Sequence, residues 1–229
     1  MTQPAPRPTP EVMATDAAGT TRARILDTAE QLFAREGPAA VTLRAIAAAA
    51  AVNVAAVNYH FGSKEKLFEE MFLRRVVPLN EERLRLLGAC AAAAAGRPGI
   101  EAIVGAYVQP AFRLTGSAGA GAGARAIIVQ YSLGRVLAMP GVDRLLVRYY
   151  DSIRKAFVTA LAAAAPHLSE HDIVWRYYWM GGSVLVSLAV PAGMVEAADD
   201  PVSLTARRAR ARVADELIAF LVRGFAATA

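Results

Sequence analysis

The chain has 229 residues and a formal net charge of +5, and 55% of its residues are hydrophobic. A core of that size excludes wholesale disorder, and the length fits one large core with a small additional domain. The single cysteine, Cys90, excludes an intrachain disulfide framework and any zinc site built from several cysteines. The same cysteine usage favours a reducing compartment, so we expect a cytoplasmic protein.

Residues 1–19 predict a disordered tail, since prolines recur up to Pro10 and no apolar stretch typical of a secretory signal follows. A second stretch, Tyr177 to Val195, carries no charge and approaches the length that spans a bilayer. Its glycines, serines and Pro191 favour a buried helix that ends at the proline. A membrane-associated helical protein is the alternative.

After residue 20 nearly the whole chain has helical periodicity, which predicts an all-α protein. An apolar stripe from Ile25 to Phe33 marks the first helix, which Gly37-Pro38 ends. Thr42 caps a short helix from Leu43 to about Ala49, and Asn53 caps another that reaches about His60.

Longer helices follow these short ones. Ser63 caps a helix that Pro78 should kink or end. A Gly/Ala loop is predicted at 116–123. Further helices are predicted at about 100–114, 124–138, 142–165 and 169–190, and from residue 203 or 204 nearly to the end.

The two short helices and the turn between them, at about 50–52, form a helix-turn-helix pattern behind a supporting helix. In the second short helix, Val57 and Phe61 are four residues apart and should face the small core. Small residues on the other face would let the helix sit deep in the major groove, and an asparagine there can hydrogen-bond a base edge. The pattern therefore predicts DNA binding, although residues 20–66 carry six basic and four acidic side chains.

Residues 21 to about 75 resemble the DNA-binding domain of the TetR family of bacterial transcriptional regulators. The resemblance is carried by the runs Arg24–Phe33, Glu36-Gly37, Val41–Ala47 and Val57–Glu65. The aromatic-His-Phe-x-Ser-Lys part of the last run is its most specific feature. The resemblance covers about a quarter of the chain.

The resemblance implies a homodimer whose reading helices enter successive major grooves of an inverted-repeat operator. It assigns 20–66 to DNA binding and 67–229 to a C-terminal domain that binds a small molecule and dimerises through its last two long helices. We interpret the protein as a repressor that a ligand releases from DNA, and an activator or corepressor-dependent regulator is the alternative. The positions implied to contact DNA are Thr42, Arg44, Asn53, Val54, Ala55, Ala56, Asn58, Tyr59, His60 and Lys64.

Two departures from the family pattern lie in or beside the turn. The family usually has glycine where this chain has Ala51. Either the backbone there is left-handed, which costs an alanine on the order of 1 kcal/mol, or the turn differs slightly from that of the family. It often has Gly-Thr where this chain has Ala55-Ala56. The second change removes a hydroxyl, so the operator sequence should differ.

Aromatic residues are frequent in the C-terminal helices, where most should be core and some can line an apolar ligand cavity. We expect an apolar or aromatic ligand, with an arginine facing any acidic group. The predicted ligand site comprises Tyr107, Phe112, Arg113, Tyr131, Arg135, Trp175, Tyr178 and Trp179. The predicted dimer interface comprises Gly181, Gly182, Leu217 and Phe220, and the glycine pair fits interior packing equally well.

No catalytic or metal motif is present in the sequence. His167 and His171 have the spacing of a two-histidine metal face, but Pro166 and Ser169 should place them on different elements. No Ser-His-Asp arrangement, phosphate loop or HExxH pattern occurs. We therefore expect neither an enzyme nor a bound cofactor.

Overall fold

The structure is a computed structural model that describes residues 10–115, 128–129, 144–189 and 206–227. These residues form helices and turns with no strand among them, which confirms the all-α prediction. The chain divides into two compact units between Met71 and Phe72. The helices are α1 Pro10–Ala40, α2 Leu43–Ala49, α3 Val54–Phe61, α4 Lys64–Ala93, α5 Ile100–Thr115, α6 Arg144–Ala164, α7 Glu170–Ala189 and α8 Ala206–Ala226.

In the first unit, α1 packs against α2 and α3, and α2 packs against α3. Ile25 and Phe33 of α1 are fully or almost fully buried, as the apolar stripe predicted. Gly37 has φ 76° and interrupts the helical backbone, which confirms the predicted stop. The helix begins at Pro10, whereas the sequence assigned residues 10–19 to a tail. Proline fits the first position of a helix because its missing N–H has no helical partner there.

Each predicted cap of the short helices is present. The Thr42 hydroxyl oxygen accepts a hydrogen bond from the backbone N–H of Ala45 at 3.1 Å. The Asn53 side chain accepts one from the N–H of Ala55. Ser63 caps α4 in the same way. These bonds satisfy donors that a helix N-terminus leaves without a partner, so they start each helix where the sequence places it.

The sequence predicted that Pro78 would kink or end its helix, and the ending is wrong. The structure continues α4 through Pro78 to Ala93. The ring is exposed, while Val76 and Leu79 on either side are buried. Burial of the flanking turns therefore holds the helix together across the one hydrogen bond that proline cannot make.

In the second unit, α5 packs against α6, α7 and α8, and α7 also packs against α6 and α8. Helix α6 ends at Ala164, just before Pro166, and the Ser169 hydroxyl caps α7. The predicted loop at 116–123 lies outside the described residues. The predicted helix at 124–138 is described only at 128–129, which are helical and buried. Among the described helices, none has the length and apolar character needed to cross a bilayer.

Candidate functional site

Helix α3 separates a buried face from an exposed one, as the sequence predicted. Val57 is fully buried and Phe61 nearly so, because both point toward α1 and α2. Ala55 and Asn58 are exposed, and Tyr59 is 86% exposed. The outward face thus has a small residue, an amide and a phenol, and it is narrow enough to approach base edges in a major groove.

The turn between α2 and α3 is a Schellman motif. The N–H of Val52 donates to the Ala47 carbonyl at 3.0 Å, and the N–H of Ala51 donates to the Ala48 carbonyl at 3.2 Å. Ala51 occupies the left-handed position with φ 51°. Of the two alternatives left open by the sequence, the structure therefore has the left-handed one, and an alanine fills the place where the motif favours glycine.

The two caps keep hydrogen-bonding capacity for DNA. Thr42 uses an oxygen lone pair in its cap, so its hydroxyl proton stays available as a donor. Asn53 uses its amide oxygen, so its NH₂ group stays available. Arg44, the second residue of α2, is exposed. These donors lie at the N-terminal ends of the two helices, where partial positive charge also favours phosphate.

Aromatic and basic groups lie at the end of α3 and the start of α4. The Tyr59 and His60 rings meet edge to face with centroids 5.3 Å apart. Lys64 is half-buried, with its Nζ 6.0 Å from the centroid of the Phe33 ring. The backbone N–H of Glu65 and the Ser63 hydroxyl lower the pKa of the Glu65 carboxyl, as expected at a helix N-terminus. The remaining predicted positions, Val54, Ala56 and His60, are half-buried.

The structure separates the predicted ligand residues into two groups. Tyr107 and Phe112 are buried in the core of the second unit. Arg113 is exposed and donates to the Gln109 side chain at 2.7 Å, so it does not reach that core. Tyr131 and Arg135 lie outside the described residues.

The other three aromatic residues point outward. Trp175, Tyr178 and Trp179 are 48%, 52% and 61% exposed on α7, and the two tryptophan ring centroids are 6.4 Å apart. In the described structure they line no interior cavity. They alternate with Ile173 and Tyr177, which are buried.

The two glycines of α7 face different surroundings. A Cβ atom on Gly181 would lie 3.2 Å from the Tyr107 hydroxyl, whereas one on Gly182 would meet nothing within 4 Å. Close approach at Gly181 is therefore interior packing, and only Gly182 lies on the exposed face. On α8, Leu217 is half-buried and Phe220 is 65% exposed.

A buried polar pair in α4 was not predicted from the sequence. Asn80 and Arg83 are 6% and 4% exposed. Arg83 Nε donates to the Tyr107 carbonyl at 2.9 Å, and Nη1 donates to the Asn80 side-chain oxygen at 3.2 Å. The available signal was spacing, because residues 76, 80, 83 and 87 form one inward stripe in which these two polar residues stand between Val76 and Leu87.

Among the described residues, no three His, Cys, Asp or Glu side chains come together as metal ligands. His167 instead donates from Nε2 to the Phe225 carbonyl at 3.2 Å, and so helps to hold the α6–α7 turn against the end of α8.

Comparisons with known proteins match both units. The family model described as bacterial regulatory proteins, tetR family, matches residues 25–71, and the model described as tetracyclin repressor-like, C-terminal domain, matches residues 105–224. No curated protein matches the chain by sequence.

Solved structures share the fold at low identity. The ketosteroid transcriptional regulator KstR2 of Mycobacterium tuberculosis is 18% identical with a TM-score of 0.60, over 89% of this chain and 93% of that one. A putative tetR family transcription regulator from Shewanella sp. PV-4 is 21% identical with a TM-score of 0.59, over 89% and 96% of the two chains. The helix-turn-helix geometry and the two family models lead to one conclusion: the chain belongs to the TetR family of DNA-binding transcriptional regulators.

Proposed function

We propose that the protein is a homodimeric repressor that binds an inverted-repeat operator and leaves it when a small molecule binds the C-terminal unit. The observation that carries the DNA-binding part is the outward face of α3. Its Ala55 and Asn58 are exposed side by side, and Tyr59 extends beyond them. Asn58 reads a base edge, while Tyr59 and Lys64 bind phosphates on either side.

An exposed apolar stripe on α7 supports the homodimer. Trp175, Trp179, Gly182 and Val186 recur at helical spacing on one face, and Tyr178 borders them. Large apolar side chains that cluster on a surface mark protein–protein interfaces, and aromatic residues are the commonest anchors. Phe220 gives α8 a matching exposed residue. A two-fold axis would bring the same stripe from both copies together, as in an isologous dimer.

The dimer sets the mechanism of repression. Two α3 helices about 34 Å apart reach successive major grooves on one side of the duplex. An effector that favours another conformation of the C-terminal unit changes this spacing. A coupling free energy of about 1–3 kcal/mol weakens operator binding roughly 5- to 150-fold.

Charge substitutions in the stripe test the dimer and DNA binding together. We expect Trp179→Glu and Phe220→Glu, introduced together, to give monomers in sedimentation, because buried negative charges from both copies would face each other across the axis. Operator affinity should fall by orders of magnitude, since one half-site replaces two. Leu84→Glu is the matched control, because Leu84 is an exposed leucine of α4 outside the stripe.

The operator itself is found by selection from random duplexes with the purified protein. An inverted repeat with half-site centres one helical turn apart supports the proposal. A parent protein that sediments as a monomer and still selects such a repeat would refute the dimer. Transcription from the selected operator, with and without protein, then distinguishes repression from activation.

A further inference from the structure

We propose that Arg83 binds the carboxylate of the effector, which makes the effector an organic acid with an aromatic or aliphatic body. The inference rests on the proposed effector response and adds the chemical class of the ligand. Arg83, which is buried in the second unit, replaces the exposed Arg113 as the residue expected to bind an acidic group.

Arg83 is a buried charge whose partners are neutral. Its guanidinium has five N–H donors, and among the described residues it donates to the Tyr107 carbonyl and the Asn80 amide oxygen. In the part of the chain that the structure describes, no carboxylate forms an ion pair with it. The donors left over have no acceptor among those residues. Burial without a counter-charge is costly, so an anion that entered would be bound strongly.

The guanidinium is held in one orientation. Its Cζ atom lies 3.9 Å from the centroid of the Tyr107 ring, so one face of the plane is covered. Asn80, which accepts from Nη1, is itself held because its Nδ2 donates to the Tyr149 carbonyl at 3.4 Å. A planar fork fixed in this way presents its remaining N–H edge to a carboxylate, which it can bind through two parallel hydrogen bonds.

The described rings packed next to Arg83 and on Tyr107 are aromatic and carry no charge. The Tyr107 ring meets Phe157 and Tyr177 edge to face, with centroids 5.2 and 5.7 Å away. Burial, together with the neighbouring Tyr107 hydroxyl, raises the pKa of Tyr177, so this phenol stays neutral at physiological pH. The positive charge of Arg83 acts on the pKa of Tyr177 in the opposite direction. Such walls favour an apolar ligand body.

The charge balance selects a monoanion. One guanidinium neutralises one carboxylate, and the neighbouring Asn80, Tyr107 and Tyr177 add no second positive charge. A phosphate dianion would bring a further negative charge into the same site without compensation. A neutral amide of the same shape would leave the guanidinium unneutralised. Acid and amide pairs therefore separate this proposal from simple apolar binding.

The experiment measures thermal shifts and calorimetric affinities of the full-length dimer with paired probes. Benzoate, phenylacetate, cinnamate, hexanoate and decanoate are each compared with the corresponding primary amide. We expect at least one acid to raise the melting temperature while its amide does not. In Arg83→Met the affinity for that acid should fall about tenfold or more, since hydrogen bonds to charged groups are the stronger kind.

Two further variants keep the test independent of folding. Arg83→Lys keeps the charge and loses the planar fork, so it should retain the preference for acid over amide with reduced affinity. Arg113→Met removes an exposed arginine of the same unit and should leave acid binding unchanged. If Arg83→Met does not fold, the affinities of Arg83→Lys for the acid and its amide are compared with those of the parent protein instead.

Equal stabilisation by acids and amides, or acid binding that survives in Arg83→Met, overturns the inference. Operator binding is measured separately with the same samples. If a neutral compound alone releases the operator, the proposed function stands and the inference fails. If an acid binds through Arg83 and operator affinity does not change, the site stands and the proposed effector response fails.

Discussion

Replacing Ala51 by glycine should stabilise the DNA-binding unit. Ala51 has φ 51° at the left-handed position of the turn between α2 and α3, and its side chain is exposed. A left-handed backbone costs an L-residue with a Cβ atom about 1–2 kcal/mol of strain. Glycine has no such strain, but its greater freedom in the unfolded chain lowers the stability of the folded state by about 0.5–1 kcal/mol.

The difference predicts that Ala51→Gly raises the free energy of unfolding by roughly 0.5–1 kcal/mol. For a chain of this length, a gain of that size raises the melting temperature by about 1–4 °C. The gain in stability is local. Hydrogen exchange of the Val52 amide, which donates to the Ala47 carbonyl across the turn, should therefore slow by the factor that corresponds to this free energy.

Two matched substitutions check the reasoning by calorimetry and amide exchange. Ala48→Gly makes the same chemical change at an exposed, right-handed position of α2 and should lower stability by about 1 kcal/mol. Ala95→Gly should stabilise, because Ala95 has φ 50° at the end of α4, where the N–H of Gly96 donates to the Ala91 carbonyl as in a Schellman motif. Destabilisation by Ala51→Gly equal to that of Ala48→Gly would falsify the account.

The remaining predictions concern DNA binding and local electrostatics. Lys64→Ala should weaken binding to all sequences alike and lower the slope of log affinity against log salt by about 1, as titration at several salt concentrations would show. Asn58→Ala should instead relax the preference at one base position of each half-site, as a repeated selection would show. Thr42→Ala removes the cap of α2 and should cost about 1 kcal/mol in denaturant unfolding. The Ser169 hydroxyl lowers the pKa of Asp172 below its ordinary 3.8, so Ser169→Ala should raise that pKa in an NMR titration. This carboxylate stabilises the fold above its ordinary pKa, and the contribution is lost as pH falls through the folded value.

Local interactions explain why much of the helix-turn-helix could be predicted from the sequence. The caps at Thr42 and Asn53 are hydrogen bonds to N–H groups two or three residues away, so they depend on neighbours in the chain. The inward direction of Val57 and Phe61 follows from helical periodicity alone. The sequence also pointed to Ala51 as a departure from the family pattern, although only the structure shows that its backbone is left-handed.

Contacts between distant elements decided what periodicity could not. Trp175 and Trp179 resemble core residues in composition, but α7 buries Ile173 and Tyr177 instead and turns the tryptophans outward. Helix α4 continues past Pro78 because the residues around it are buried against other helices, which local propensity does not report.

The sequence by itself determined the all-α class, the capped short helices and the reading face of α3, because each depends on residues within a few positions of one another. Spacing places Arg83 on the inward stripe of α4, but only the tertiary structure decided which groups cover it and that Arg113 is exposed. Both arginines lie on helices with apolar neighbours. Their difference arises because the Tyr107 ring and carbonyl, contributed by another helix, cover Arg83, and no pattern along α4 encodes that contact.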